Sequence, residues 1–309
     1  MMEFFADKKG LIGNDEWLRI INSFKPDSEV SESEDRIALQ LRRLFEDSIK
    51  QRLEGKNQAG IMFSGGLDSS YIAALCKRFN ANFTCYTVGF QDGNFKVPED
   101  IEQAQLVVKH LGLENNFKFK VFDIKEMEQI FKDTIKILSQ ATEKYDKDLL
   151  NVVNVGVAAV EYAAYSISNK EKYFFSGLGS EELFAGYDRH RKNPTNDECY
   201  QGLLNMYERD LLRDSAMSSS LGFDFLTPFL DKDLVKYSLS IPIKYKLNNS
   251  GNKLILRKAA YPLLKEHSER PKRAAQYGSS FDRALSKVAK MHGFEYKKDY
   301  IDKISAQYL

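Results

Sequence analysis

This sequence predicts a doubly wound parallel α/β sheet with a mainly helical C-terminal half, on three observations. Short apolar or β-forming runs alternate with segments of helical spacing between residues 59 and 175. A glycine-serine turn joins the first of those runs to the helix that follows it. Beyond Glu181 the pattern reads as mainly helical, with no internal repeat and no low-complexity tract.

The elements follow in order. Residues 1–57 form a helical lead-in, with a short helix around Glu16–Phe24 and a longer one opened by a capping box, Ser31-x-x-Glu34. Ile37, Leu41, Phe45, Ile49 and Leu53 recur every fourth residue, Leu44 widens the stripe and Ser48 is its one polar interruption. Gly55 and the polar Lys56-Asn57-Gln58 end it. The main domain then spans 58–309. Ile61-Met62-Phe63 is a short strand, Tyr71–Phe79 a helix, and Phe83–Phe90 a strand closing near Asp92-Gly93. Asp100–Leu111 is helical, Asn116–Phe122 strand-like, and Glu126–Gln140 and Leu149–Ser168 helical. Tyr173-Phe174-Phe175 runs into a second glycine turn.

Composition narrows the function classes. With 45 basic and 44 acidic side chains among 309 residues, the net charge of +1 gives no global attraction to nucleic acid or an anionic membrane. Cys76, Cys85 and Cys199 are too few and scattered for a disulfide framework or a thiolate metal site. His110, His190, His267 and His292 read as isolated, with no metal-binding spacing. Charge at Glu3, Asp7, Lys8 and Lys9 falls where a signal peptide needs its apolar stretch, and no run approaches the ~18 apolar residues of a membrane span. A soluble, cytoplasmic protein is expected.

The chemistry is carried by Ser64-Gly65-Gly66-Leu67-Asp68-Ser69-Ser70. Glycines let backbone N–H groups approach an anion, and the helix N-terminus adds partial positive charge. The hydroxyls of Ser64, Ser69 and Ser70 can donate to phosphate oxygens. Asp68 would repel bare phosphate, so a carboxylate there makes sense if it holds Mg²⁺, which prefers oxygen ligands. The loop is not a Walker A motif, since no G-x-x-x-x-G-K-[ST] occurs.

This string resembles the pyrophosphatase loop of N-type ATP pyrophosphatases, and its surroundings resemble asparagine synthetase and β-lactam synthetase. Further stretches match in order: Leu44–Lys50, Tyr86-Thr87-Val88-Gly89-Phe90, Phe175–Tyr187, Pro228-Phe229-Leu230-Asp231, and Lys253-x-x-Leu256-Arg257 followed by Arg270-Pro271-Lys272. The likeness covers roughly residues 40–285 and is nearest the asparagine-synthetase-domain-containing branch, on Arg270–Ser280 and Gly186–His190. It implies an adenine nucleotide α-hydrolase-like fold with an asparagine-synthetase-like ATP pyrophosphatase domain. Ser64, Gly65, Gly66, Asp68, Ser69 and Ser70 would then cradle the pyrophosphate of ATP. Met62 and Val88 would line the adenine, and Ser176 and Gly177 would approach the ribose or α-phosphate. Glu181 takes the place of a family aspartate that shares Mg²⁺ with Asp68, and Lys272 would balance phosphate charge. The local excess of +8 over residues 251–298 suits a polyanion or an exposed basic face.

Two departures concern the acceptor. Leu178 stands where asparagine synthetase has a glutamate, and Asn151–Gly156 lacks an arginine that the synthetase uses near its amino-acid substrate. The expected reaction is carboxylate adenylation followed by amide formation, releasing AMP and pyrophosphate, with aspartate and ammonia a poor pair and the acceptor less polar. The partners implied are a small-molecule carboxylate and a nitrogen donor. Residues 1–40 cannot hold the family's glutaminase domain and Met2 is no nucleophile, so nitrogen would come from ammonia, an amine or a separate glutaminase subunit. A homodimer is compatible. The rivals are an ATP pyrophosphatase of tRNA base modification and a nucleotide-binding, non-catalytic subunit.

Overall fold

The structure is a computed structural model that describes residues 3–7, 10–93, 97–269 and 274–308. A five-stranded sheet runs in the order Phe117–Phe122, Phe83–Phe90, Ala59–Met62, Tyr173–Phe175, Asp224–Leu226, with every pair parallel. Helices cover both faces, so all eight residues of Phe83–Phe90 are buried, as its unbroken run of β-formers requires. The edge strand Phe117–Phe122 is instead only part-buried and carries Lys118 and Lys120, charges that guard an open edge.

The helices fall close to their expected places: Asn14–Asn22, Glu34–Leu53, Leu67–Arg78, Glu99–Leu111, Ile124–Tyr145 and Val152–Ser166. Three readings change. Ser33, not Ser31, caps Glu34–Leu53, its side chain accepting from the Arg36 N–H. The region after Glu181 is helical but also supplies the fifth strand, Asp224–Leu226, and a small hairpin of Leu247–Asn248 with Gly251–Asn252. The lead-in adds a second hairpin, Ala6–Asp7 with Gly10–Leu11. These strands have two or three residues, too few for periodicity to register.

Asn196–Met206 and Leu212–Leu221 are one helical path, widened into a π turn at Tyr207–Leu211. Such turns bulge the backbone and are frequent at functional sites. Phe5, Trp17, Ile37 and Phe45 of the lead-in share one hydrophobic core with the sheet and with Phe229, Leu256 and Phe281. Cys76, Cys85 and Cys199 are free and buried. Among the described residues no helix is long and apolar enough to cross a membrane.

Candidate active site

From the central strand Ala59–Met62 the chain builds outward on one side, then crosses to Tyr173–Phe175 on the other. The turns leaving these two neighbouring parallel strands therefore open on one crevice, at the point where the strand order reverses. A cleft of about 410 Å³ occupies it.

The first turn is Ser64–Gly66. Gly65 has φ +66°, and a Cβ there would lie 2.5 Å from the Ala104 nitrogen, so glycine alone fits. The Gly66 N–H donates to Ser64 Oγ at 3.3 Å, and Ser69 Oγ accepts from the Ser64 N–H at 3.3 Å. Gly66 starts Leu67–Arg78 with no side-chain cap, which leaves the helix N-terminus suited to an anion. Met62, Ser64, Gly66, Asp68, Ser69, Val88, Ser176, Gly177 and Glu181 all line the cleft. Ser70 does not; it is fully buried behind the loop. Lys272 and Arg270 lie outside the described residues.

Asp68 and Glu181 meet at a third residue. Lys253 Nζ donates to Asp68 Oδ2 at 2.7 Å, to Asp68 Oδ1 at 2.9 Å and to Ser180 Oγ at 2.9 Å, and lies 2.5 Å from Glu181 Oε1. Burial pushes the Lys253 ammonium down, but the charges and hydrogen bonds of Asp68 and Glu181 outweigh it and hold its pKa above the ordinary lysine value. Lys253 sits at φ 54°, a left-handed conformation uncommon for a side-chain-bearing residue, at the start of Leu254–Leu264. Strain of this kind clusters at functional sites. Gly186 completes the arrangement. A Cβ on it would fall 1.6 Å from Glu181 Oε2 and 2.6 Å from Lys253 Cε. Two carboxylates thus converge on one cation, which is the donor chemistry a hard divalent ion requires.

The opposite end of the cleft is heavily charged. Arg213 donates through Nε and Nη2 to Asp214 Oδ1 at 2.8 and 2.5 Å, and through Nη1 to Asp210 at 3.3 Å. Arg209 donates to Asp210 at 2.7 Å and to Glu182. Burial raises the Glu161 carboxyl well above the usual range, and the Asp214 charge raises it further. No arginine comes from Asn151–Gly156, where Asn151 caps Val152–Ser166; the π turn and the helix after it deliver Arg209 and Arg213 instead. The repeated Arg-Asp pair at 209–210 and 213–214, spaced one helical turn, was the available sequence signal.

The histidines lie elsewhere. His190 is buried, its Nδ1 accepting from the Tyr187 N–H at 3.1 Å, and burial followed by the Arg189 charge lowers its pKa to about 4. His110 and His267 are not isolated, their rings lying 4.7 Å apart. Among the described residues no three His, Cys, Asp or Glu side chains form a metal cluster.

The family model described as asparagine synthase matches residues 40–199 and 192–297. A Methanocaldococcus jannaschii protein carrying the name of a glutamine-hydrolysing asparagine synthetase is 30% identical over 301 residues, which cover 84% of this chain and 52% of that one. An asparagine synthetase domain-containing protein of Saccharomyces cerevisiae is 28% identical, covering 85% of this chain and 56% of its own. The chain spans about half the length of the curated relatives it matches. Among solved structures, a U34-tRNA thiolase of Methanococcus maripaludis aligns over 88% of this chain and 79% of its own, at 14% identity and a TM-score of 0.35. So loose a likeness bears on neither reaction nor substrate. The matched model embraces both glycine turns, Lys253 and the π turn together, and the chain belongs to the asparagine synthase family.

Proposed function

We propose that this chain adenylates a small carboxylate with ATP and passes the acyl group to a nitrogen nucleophile. One observation carries the reading: Asp68 and Glu181, from turns after adjacent parallel strands, converge on one cation beside a glycine loop that opens a helix. The substrate carboxylate attacks the α-phosphorus of ATP, the bond between α-phosphorus and bridging oxygen breaks, and pyrophosphate leaves. The nitrogen then attacks the acyl carbon and AMP departs.

The Ser64–Ser69 turn and the helix start of Leu67–Arg78 bind the departing pyrophosphate through N–H groups and hydroxyls. Met62 and Val88 flank the adenine, and Ser176 and Gly177 the ribose or α-phosphate. Mg²⁺ held by Asp68 and Glu181 supplies charge neutralisation on the phosphates when bound. Lys253 keeps both carboxylates within reach of one cation, and Lys272 is assigned a further positive charge on the phosphates. The lead-in 1–57 acts as a brace for the domain 58–309. Leu178 can neither accept a proton nor orient ammonia, so aspartate with ammonia is a poor substrate pair.

The test is product analysis with purified protein, ATP, Mg²⁺ and panels of carboxylates and amines. AMP and pyrophosphate in equal amounts are expected. ADP and phosphate as the main products would overturn the reading.

A further inference from the structure

One stripe of the helix Val152–Ser166 runs along the cleft: Val153, Val157, Val160 and Glu161 all line it. Val153 at the mouth is 53% exposed, whereas Glu161 at the far end is 9% exposed. At 1.5 Å per residue the stripe is about 12 Å long, and its last turn, from Val157 to Glu161, about 6 Å. Leu178 lines the same cleft. This wall of the cleft is therefore a hydrocarbon track that carries one carboxyl group near its buried end.

That carboxyl has the longest ion pair in its cluster, and its hydrogen bond is shared with another acid, Asp214. Asp214 takes two N–H groups of Arg213 and Asp210 a third, leaving Glu161 at 3.9 Å from the Arg213 Nε. Arg209 is engaged by Glu182 and Asp210. Glu161 Oε2 is buried and makes no hydrogen bond among the described residues. Gln276 Oε1, from another segment, is likewise buried and unpartnered and lines the same cleft. Two unsatisfied acceptors in one cleft require a donor. Arg209 and Arg213 are each already paired with acids, so an anion finds no unpaired guanidinium there.

We propose that this end of the cleft binds an aliphatic primary amine as its ammonium ion, with Glu161 as counterion and the hydrocarbon part along Val157, Val160 and Leu178. An ammonium offers three donors on a compact charge. The charged groups facing Glu161 are Asp214, Arg213 and Asp210, and burial together with the Asp214 charge raises its carboxyl well above the usual carboxylate range. Binding of R–NH₃⁺ favours the ionised carboxyl, so it releases a proton to solvent wherever Glu161 still holds one. The amide-forming reading gives the amine its use, as nitrogen donor, but its binding does not depend on ATP cleavage.

The experiment is isothermal titration of the full chain from about pH 5 to about pH 8 with n-pentylamine, 1-pentanol and pentanoic acid, in buffers of different ionisation enthalpy at each pH. The amine should bind at least about tenfold more tightly than the other two, with proton release at the acid end of that range that fades toward the alkaline end. Glu161→Gln, which keeps shape and burial, should abolish both the preference and the proton release. If that variant fails to fold, proton release by the unaltered chain decides alone. Tighter binding of the acid, amine binding without proton release at any pH in that range, or no amine binding up to about 10 mM would each overturn the proposal. Pyrophosphate release is followed separately, and its failure beside intact amine binding counts against adenylation only.

Discussion

Lys253, Asp68, Glu181 and Gly186 work as one unit, and each was legible in the sequence to a different degree. Asp68 and Glu181 sit inside contiguous glycine turns, where neighbouring residues announce the chemistry. Lys253 sits 185 residues from Asp68, and nothing in its own vicinity signals that contact. Ser70 is buried away from the cleft, and a hydroxyl at a helix start looks the same in sequence whether it faces ligand or core. Asp68→Asn should lower pyrophosphate release by about 10²-fold or more, since charge aimed at the phosphates acts mainly in the transition state. Glu181 remains as counterion to Lys253, so the melting temperature should fall by only a few degrees. Gly186→Ala should cost as much activity by displacing the Glu181 carboxylate. Gly13→Ala, where a Cβ meets nothing within 4 Å, should change neither quantity. An active Gly186→Ala enzyme would show that Glu181 need not sit where it does.

The helix Glu34–Leu53 shows what periodicity reads and what it misses. Its apolar stripe was plain, and Ile37, Leu41, Phe45 and Ile49 are fully buried. Ser48, which looked like an interruption, is a junction: its hydroxyl donates to the Pro228 carbonyl at 2.7 Å and accepts from Arg52 Nη1 at 2.8 Å. Arg52 in turn grips Glu3 with two parallel hydrogen bonds of 2.8 and 2.7 Å, and Glu3 accepts from the Thr227 N–H at 2.9 Å. No local pattern announces a buried arginine whose carboxylate partner lies 49 residues away. Removing one partner of a buried, hydrogen-bonded pair strands the other. Glu3→Ala should therefore destabilise the chain by about 3 kcal/mol, read from the urea midpoint, while Glu54→Ala on the exposed helix end should move it little. Equal midpoints for the two variants would reduce the pair to decoration.

Across the whole molecule, buried charge sets the pH range of the fold. Glu161 and Glu182 are raised by burial, so the native state holds protons that the unfolded chain releases, and stability falls as pH rises above the ordinary carboxylate range toward their raised values. His190 is lowered to about 4, so the unfolded chain gains its proton first, and stability falls as pH drops from about 6.5 toward 4. Melting curves should therefore decline on both sides of a maximum. Glu161→Gln should flatten the alkaline decline and His190→Gln the acid one; unchanged limbs would detach these groups from the profile. The sheet order has a consequence for synthesis. The central strand Ala59–Met62 pairs on one side with Phe83–Phe90 but on the other with Tyr173–Phe175. At ordinary elongation rates the ribosome takes on the order of ten seconds to travel from one partner to the next. For that interval the emerging half-sheet carries a bare, apolar edge at its middle, the kind of edge to which a second nascent chain or a chaperone adheres.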